Sequence, residues 1–234
     1  MGVAVLPLML ARPPPCPGID LRCCDVTALL TSLQPSDVRA QLVVADPPWQ
    51  YHDGVPGHGR QEDYYDGLPM VTIMEHLALA ATVAASDSYL ALWTTWPMLA
   101  PVMQGMAGGP WEYVSGGSWH KDGQVGIGYH WRGVSEPLLL WRKGRPHADR
   151  GYILKNGHAS YAQRHSEKPV EWARGHIRAW VPPGGLMLDL YAGYAPYARA
   201  AKLEGRDYIG AEIDPERHAA ALTALAQVRH EPER

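Results

Sequence analysis

Short apolar runs alternate along this chain with longer stretches whose apolar residues fall on one helical face. The runs are "IDLRCC" within 18–25, "VRAQLVVA" (38–45), "SYLALWTT" (88–95), "SEPLLLWRKG" (135–144), "GGLMLDLYAG" (184–193) and "RDYIGAEID" (206–214). Four to eight apolar or β-branched residues between turn signals predict buried strands. Between them, 28–33, 71–86, 97–106, 168–181, a stretch ending at Gly205, and 215–228 carry helical composition. The third of these helices breaks or begins near Pro101, and Pro215 sits at the first turn of the last. "WEYVSGGSWH" adds a strand that forms a hairpin with 135–144 across a glycine-rich piece. Two irregular stretches remain, 50–69 and 143–166, the first long enough to suggest a functional loop. Strands alternating with helices predict an α/β fold: a mostly parallel sheet covered by helices on both faces, with the antiparallel hairpin at its edge. The expected organisation is a flexible segment over 1–18 followed by a single domain over 19–234, with loop insertions near 50–69 and 119–166.

Composition narrows this little. A length of 234 residues with 46% apolar content suits one large domain. Phe is absent, so Tyr and Trp are expected in the aromatic slots of the core. The three cysteines (Cys16, Cys23 and Cys24) have neither a disulfide framework nor zinc-ligand spacing, which points to a reducing cytoplasm. The histidines show no metal-binding spacing either, so no metal is expected. No apolar run is long enough for a membrane span, and no membrane association is expected. Charge is unevenly spread: 119–178 carries a net +6 and the remainder −9. Solvated loop charge explains that as well as a phosphate-contacting face does.

The chemistry gathers at strand ends. In an open α/β sheet ligands sit beyond the carboxyl ends of the strands, and here Asp25, Asp46, Asp189 and Glu212 each close an apolar run. Any one could be a helix cap; four together suggest a site, since a buried acid is costly without a partner. Strand, acid, "LYAG", helix and a second strand ending in "GAEIDP" describe half of a nucleoside site. Gly193 would allow close backbone approach, and Glu212, 19 residues later, would accept from ribose hydroxyls. No phosphate-cradling glycine motif is present, so a nucleoside ligand without phosphate fits better. Asp46-Pro47-Pro48-Trp49 would supply the other half. The prolines fix the backbone and donate no N–H, so a carboxylate, a fixed carbonyl and an aromatic plane could hold a planar heterocycle by its exocyclic amine.

These residues resemble the DPPW-type adenine-N6 methyltransferases, over roughly 20–215. "CDV" (24–26), "ADPPW" (45–49), "LALWTT", "GYHWRGVSEPLLLWRKG" (128–144), "HSEKP" (165–169) and "LDLYAG…RDYIGAEIDPE" match that family's motifs in its permuted order. The resemblance implies a Rossmann-like methyltransferase fold and S-adenosylmethionine as cofactor, held by Asp25, Val26, Asp46, Lys168, Asp189, Tyr191, Gly193 and Glu212. It implies in-line methyl transfer to the N6 amine of adenine at Asp46, Pro47, Pro48 and Trp49, with Trp49 stacking on the base. Nucleic acid is the implied partner, DNA in preference to RNA, with Lys121, Arg132, Arg142, Lys143, Arg145 and Arg150 as candidate phosphate contacts. The two loop insertions are then the places for target recognition. A cytoplasmic bacterial or phage-infected cell and a possible homodimer complete the expectation. Tyr194-Ala195-Pro196-Tyr197 departs from the small-Gly-Thr-Thr that usually follows the glycine. Three alternatives stand beside this reading: cytosine-N4 transfer, an RNA substrate, and a non-catalytic nucleic-acid-binding member.

Overall fold

The computed structural model describes residues 18–50, 67–123, 131–149, 151, 154–161 and 167–228. In chain order the elements are β1 (Ile19–Cys23), α1 (Val26–Leu33), β2 (Ala40–Ala45), α2 (Met70–Val83), β3 (Ala84–Trp93), a 3-10 turn (Trp96–Met98) and α3 (Leu99–Met106). There follow β4 (Glu112–Lys121), β5 (Ser135–Lys143), β6 (Gly157–Ser160), α4 (Val170–Trp180), β7 (Leu186–Asp189), α5 (Pro196–Leu203), β8 (Asp207–Glu212) and α6 (Pro215–Gln227). The strands form one sheet in the order β1-β8-β7-β2-β3-β5-β4-β6. Of these strands β5 alone runs against the others: it is antiparallel to β3 and β4, while every other pairing is parallel.

Side-chain alternation divides the core in two. Val43, Ala45, Leu90, Leu92 and Leu188 face one side and pack with α1, α2 and α3. Leu42, Val44, Ala91, Trp93 and Met187 face the other and pack with α4, α5 and α6. Strands covered on both faces read as unbroken apolar runs, which is why periodicity located them without giving their direction. Among the described residues no helix is long and apolar enough to cross a membrane.

Three local expectations change. The region 143–166 contains a strand: β6 pairs with β4 from Ser118↔Gly157 to Lys121↔Ser160, so the β4–β5 hairpin lies inside the sheet and β6 forms its edge. Its sequence, "GHAS", carries no apolar alternation and it is half exposed, so the pattern could not show it. Helix α2 ends at Val83 and β3 begins at the next residue with no intervening loop. The alanines there suit either state and provide no stop signal. The run at 184–193 is strand only over Leu186–Asp189, because Gly184 turns the chain at φ +71° and the segment after Asp189 leaves the sheet toward α5. Pro101 is tolerated as the third residue of α3, where the backbone N–H would have no intrahelical partner. The segment 1–17, residues 51–66 of the first loop, and parts of the second loop lie outside the described residues.

Candidate active site

The four acids sit at the carboxyl ends of four adjacent strands. Across the sheet order β1-β8-β7-β2 they come as Asp25, Glu212, Asp189 and Asp46, at neighbouring strand spacings of about 4.8 Å. Register sets their heights. Asp189 lies opposite Val44 on one side and Gly210 on the other, two residues short of both Asp46 and Glu212. It therefore occupies the floor, 1% exposed, while Asp46 and Glu212 stand one layer higher. A cleft of about 600 Å³ opens above this row.

Each residue expected in the catalytic and cofactor sets lines that cleft. Asp46, Pro47, Pro48 and Trp49 form one wall; Asp25, Val26, Tyr191, Gly193 and Glu212 form the opposite end; Asp189 lies beneath and Lys168 beside Asp46. Leu68 N–H donates to the Pro48 carbonyl at 2.7 Å, and Gly67 lies so close to Gln50 that an added Cβ would fall 2.8 Å from its Cα. The ends of the long loop thus close against one another, fixing the lip. Trp49 is 3% exposed and belongs to the core beneath the lip; its buried Nε1 has no hydrogen-bond partner among the described residues. A residue so buried offers little surface for the base stacking that the resemblance implied for it.

At the opposite end, Asp25 caps α1 by accepting from Ala28 N–H at 3.0 Å. Glu212 accepts from Gly193 N–H at 2.7 Å with one oxygen and from Asp214 N–H at 2.9 Å with the other. One carboxylate thereby pins both the β7–α5 turn and the β8–α6 turn, and each oxygen keeps a lone pair for a further donor. Gly193 has φ +56°, and a Cβ placed there would meet nothing within 4 Å. Backbone conformation, and not crowding, calls for glycine at that position. On the floor, burial pushes the Asp189 carboxyl up to about 7, even though Tyr208 O–H donates to it at 3.1 Å and the Tyr191 backbone also donates.

Tyrosine and tryptophan hold the buried aromatic positions, and the hydroxyls of Tyr191 and Tyr197 beside the cleft both have partners. Tyr191 meets His76 Nδ1 at 2.7 Å, and His76 Nε2 meets Thr27 Oγ1 at 3.1 Å. Tyr197 accepts from Trp93 Nε1 at 3.1 Å and meets His176 Nδ1 at 2.9 Å. Of the two tyrosines in the unusual turn, Tyr197 is therefore anchored in the core, 2% exposed. Ala195 between them takes φ +52° and is the non-glycine residue of the described chain in the left-handed region.

Two groups that sequence reasoning did not single out complete the site. Glu136, at the start of β5, and His76 on α2 both line the cleft. Neither belongs to an acid-ended strand, so no strand-end signal pointed to them.

The candidate phosphate contacts do not gather. Arg142 is bound in bidentate fashion to Glu112, at 3.0 and 2.8 Å, and Lys143 Nζ donates to the Ala81 carbonyl at 2.8 Å. Because β5 is antiparallel, Lys143 pairs with Ser88 near the start of β3, whereas Leu138 pairs with Trp93 at its cleft end. Arg142, Lys143 and Arg145 thus lie at the far end of the sheet, roughly 17 Å along the strand from the cleft. Lys121 is at the cleft end but its ammonium is committed to Glu136. Arg132 is exposed on the cleft-end loop, and Arg150 lies outside the described residues.

Residues 138–223 match the N6/N4 methyltransferase family, described as DNA methylase. The span contains Lys168, Asp189, Gly193 and Glu212; Asp46 to Trp49 precede it. No curated protein sequence matches the chain. Solved structures share the fold at low identity. The M1.HpyAVI–SAM complex superposes with a TM-score of 0.71 at 14% identity, over 89% of this chain and 100% of that one. The putative DNA modification methylase TTHA0409 of Thermus thermophilus, complexed with S-adenosyl-L-methionine, gives 0.67 at 18% identity over 90% and 94%. The cytosine-N4-specific PvuII DNA methyltransferase gives 0.67 at 13% identity over 91% and 87%. The mixed, mostly parallel sheet with helices on both faces is the Rossmann-like methyltransferase fold.

Proposed function

We propose that this chain is a member of the N6/N4 DNA methylase family, an S-adenosylmethionine-dependent DNA methyltransferase acting on the N6 amine of adenine. The observation that carries the reading is the placement of Asp46-Pro47-Pro48-Trp49 at the end of β2, in one cleft with Asp25, Gly193 and Glu212. The cleft has a volume suited to a nucleoside-sized ligand, and its acid-rich end suits hydroxyl and amine donors without a phosphate cradle. Asp25 and Glu212 would hold the ribose and adenine of the cofactor, with Val26 and Tyr191 as apolar walls and Gly193 giving backbone access. The cofactor supplies an already activated methyl group, so no covalent enzyme intermediate is required. Asp46 and the Pro47 carbonyl would accept the two N–H bonds of the target amine and align its nitrogen with that methyl, within about 3–3.5 Å. Both would also stabilise the positive charge that grows on the amine. A base in a duplex must first be extruded, at a cost of a few kcal/mol.

The same acceptors could hold the N4 amine of cytosine, and the likeness to a cytosine-N4-specific enzyme keeps that second reading in view. Against it, the family of such enzymes resembles Ser-Pro-Pro-Tyr at the lip, where this chain has Asp46 and Trp49. One experiment separates the readings: incubation with methyl-labelled cofactor and duplex DNA, single-stranded DNA and RNA in parallel, followed by nucleoside analysis. Label in N6-methyldeoxyadenosine is expected. Label in N4-methyldeoxycytidine selects the second reading, and transfer by Asp46→Ala at the wild-type rate overturns both.

A further inference from the structure

Asp46 is the inner end of a line of alternating charges. Its Oδ2 lies 2.6 Å from Lys168 Nζ, which lies 3.0 Å from Glu136 Oε2; Glu136 Oε1 in turn receives Lys121. The four groups come from four separate pieces of chain: the end of β2, the segment before α4, the start of β5 and the end of β4. The reversed direction of β5 brings Glu136 to the cleft, since its first residues meet the last residues of β3. Lys168 is 6% exposed, with its ammonium 5.0 Å from the centre of the Trp93 ring, so it is held from below as well as from both sides. Asp46 keeps 32% of its side-chain surface, and the lysine engages it through Oδ2.

We infer that Glu136 is a positioning residue for Asp46, acting through Lys168. Shared between two carboxylates, the ammonium cannot swing into the cleft. It fixes Asp46 Oδ2 and leaves Oδ1 for an incoming amine. Glu136 also balances the lysine: an ammonium paired with Asp46 alone would cancel the charge that the lip offers to an amine becoming cationic. The two carboxyls share the lysines unequally. Burial works to raise both; for Glu136 the ammoniums of Lys168 and Lys121 outweigh it and hold the carboxyl below its ordinary value, while Asp46 stays above its own. The two carboxyls are thus displaced in opposite directions by the same lysines and the same burial. Burial opposes the charge on Lys168, but the two carboxylates hold its ammonium well above the usual lysine range.

The catalytic consequence rests on the proposed methyl transfer; the coupling itself does not. The test follows the ¹³C titration of the Asp46 carboxyl in substrate-free protein, alongside the pH profile of kcat and calorimetric cofactor affinity. In Glu136→Gln, Lys168 belongs to Asp46 alone, so the Asp46 titration should fall by about one pH unit. It should rise in Lys168→Met, and rise by less in Lys121→Gln, which perturbs the line from its outer end. With a nucleic-acid substrate, Glu136→Gln should lower kcat by roughly 10- to 100-fold, the scale of a misplacement of order an ångström. Its cofactor Kd should stay within about threefold, its acid limb should move with the Asp46 titration, and Glu136→Asp should recover part of the loss. An Asp46 titration that stays put in Glu136→Gln overturns the inference, as does a kcat that falls only in step with cofactor affinity. Opposite titration shifts without transfer to any nucleic acid would uphold the coupling and reject the proposed reaction.

Discussion

His76 Nδ1 lies 2.7 Å from the hydroxyl oxygen of Tyr191, joining the middle of α2 to the segment that follows β7 across 115 residues of sequence. The imidazole is 6% exposed, and burial holds its pKa below the ordinary value, so it is neutral near pH 7 and uses both nitrogens, one toward Tyr191 and one toward Thr27. Tyr191→Phe removes one partner and leaves a buried ring nitrogen unmatched. The expected loss in urea-melt stability is about 1–3 kcal/mol. The double variant His76→Leu/Tyr191→Phe, which removes both polar ends, should lose less than the two single losses added together.

Asp189 and His176 predict a pH signature. For Asp189 the ordinary value is 3.8 and burial raises the folded value to about 7. Between those values the folded chain holds a proton that the unfolded chain has lost, so stability falls as pH rises through the interval and levels above it. For His176 burial, with a smaller contribution from His158, lowers the pKa from 6.5 to about 3. That group costs stability as pH falls below 6.5. The two slopes oppose one another between about pH 4 and 6.5. Asp189→Asn should abolish the decline toward pH 7 and expose the histidine slope alone. Calorimetric Tm across pH 4–8 should then show a variant that is flat above pH 7 and loses stability more steeply than the wild type on the acid side.

Gly210 has a packing role on the floor of the site. It lies in β8 opposite Asp189, and a Cβ there would fall 2.2 Å from the Tyr208 hydroxyl. The missing side chain is what lets Tyr208 lean across to Asp189. Gly210→Ala should displace the tyrosine, cost about 1–3 kcal/mol of stability by overpacking, and raise the Asp189 pKa further by removing its hydroxyl donor. Chemical denaturation and carboxyl NMR read the two effects separately.

Nucleic-acid binding should respond to position on the sheet. Arg132 is exposed at the cleft end; Arg142 and Arg145 lie at the far end, the former already paired with Glu112. Arg132→Ala is expected to reduce the slope of log K against log salt by about one. Arg142→Gln/Arg145→Gln should leave it unchanged. Fluorescence anisotropy over a salt series checks both.

What the sequence made legible was whatever depends on strand ends. Asp25, Asp46, Asp189 and Glu212 each close an apolar run, and an α/β alternation places such ends on one edge of a sheet whatever the strand order. The structure brings all four together. Strand direction was not legible. The core of β5, Leu138 to Trp141, is buried along its length and reads the same in either direction. Hence Glu136, though it lies within the matched stretch 128–144, gave no sign that it reaches the cleft, and the basic segment looked contiguous when it is split between opposite ends. β6 was invisible because a half-exposed four-residue edge strand needs no apolar pattern. Partners of buried hydroxyls were also hidden: nothing local ties Tyr191 to His76 or Tyr197 to His176 and Trp93, for these pairs are 21 to 115 residues apart.

The pairing of β1 with β8 bears on how this chain emerges from the ribosome. Among the described strands β1 hydrogen-bonds to none but β8, and one flank of β2 waits for β7. Both partners are translated some 140 to 190 residues later. At elongation rates of about 5–20 residues per second, the first strand spends on the order of ten seconds with open backbone edges before its neighbour exists. Nascent chains halted before β7 should therefore be prone to aggregation or held by chaperones. The cleft, built over strands from early and late in the chain, can close only once β8 is in place.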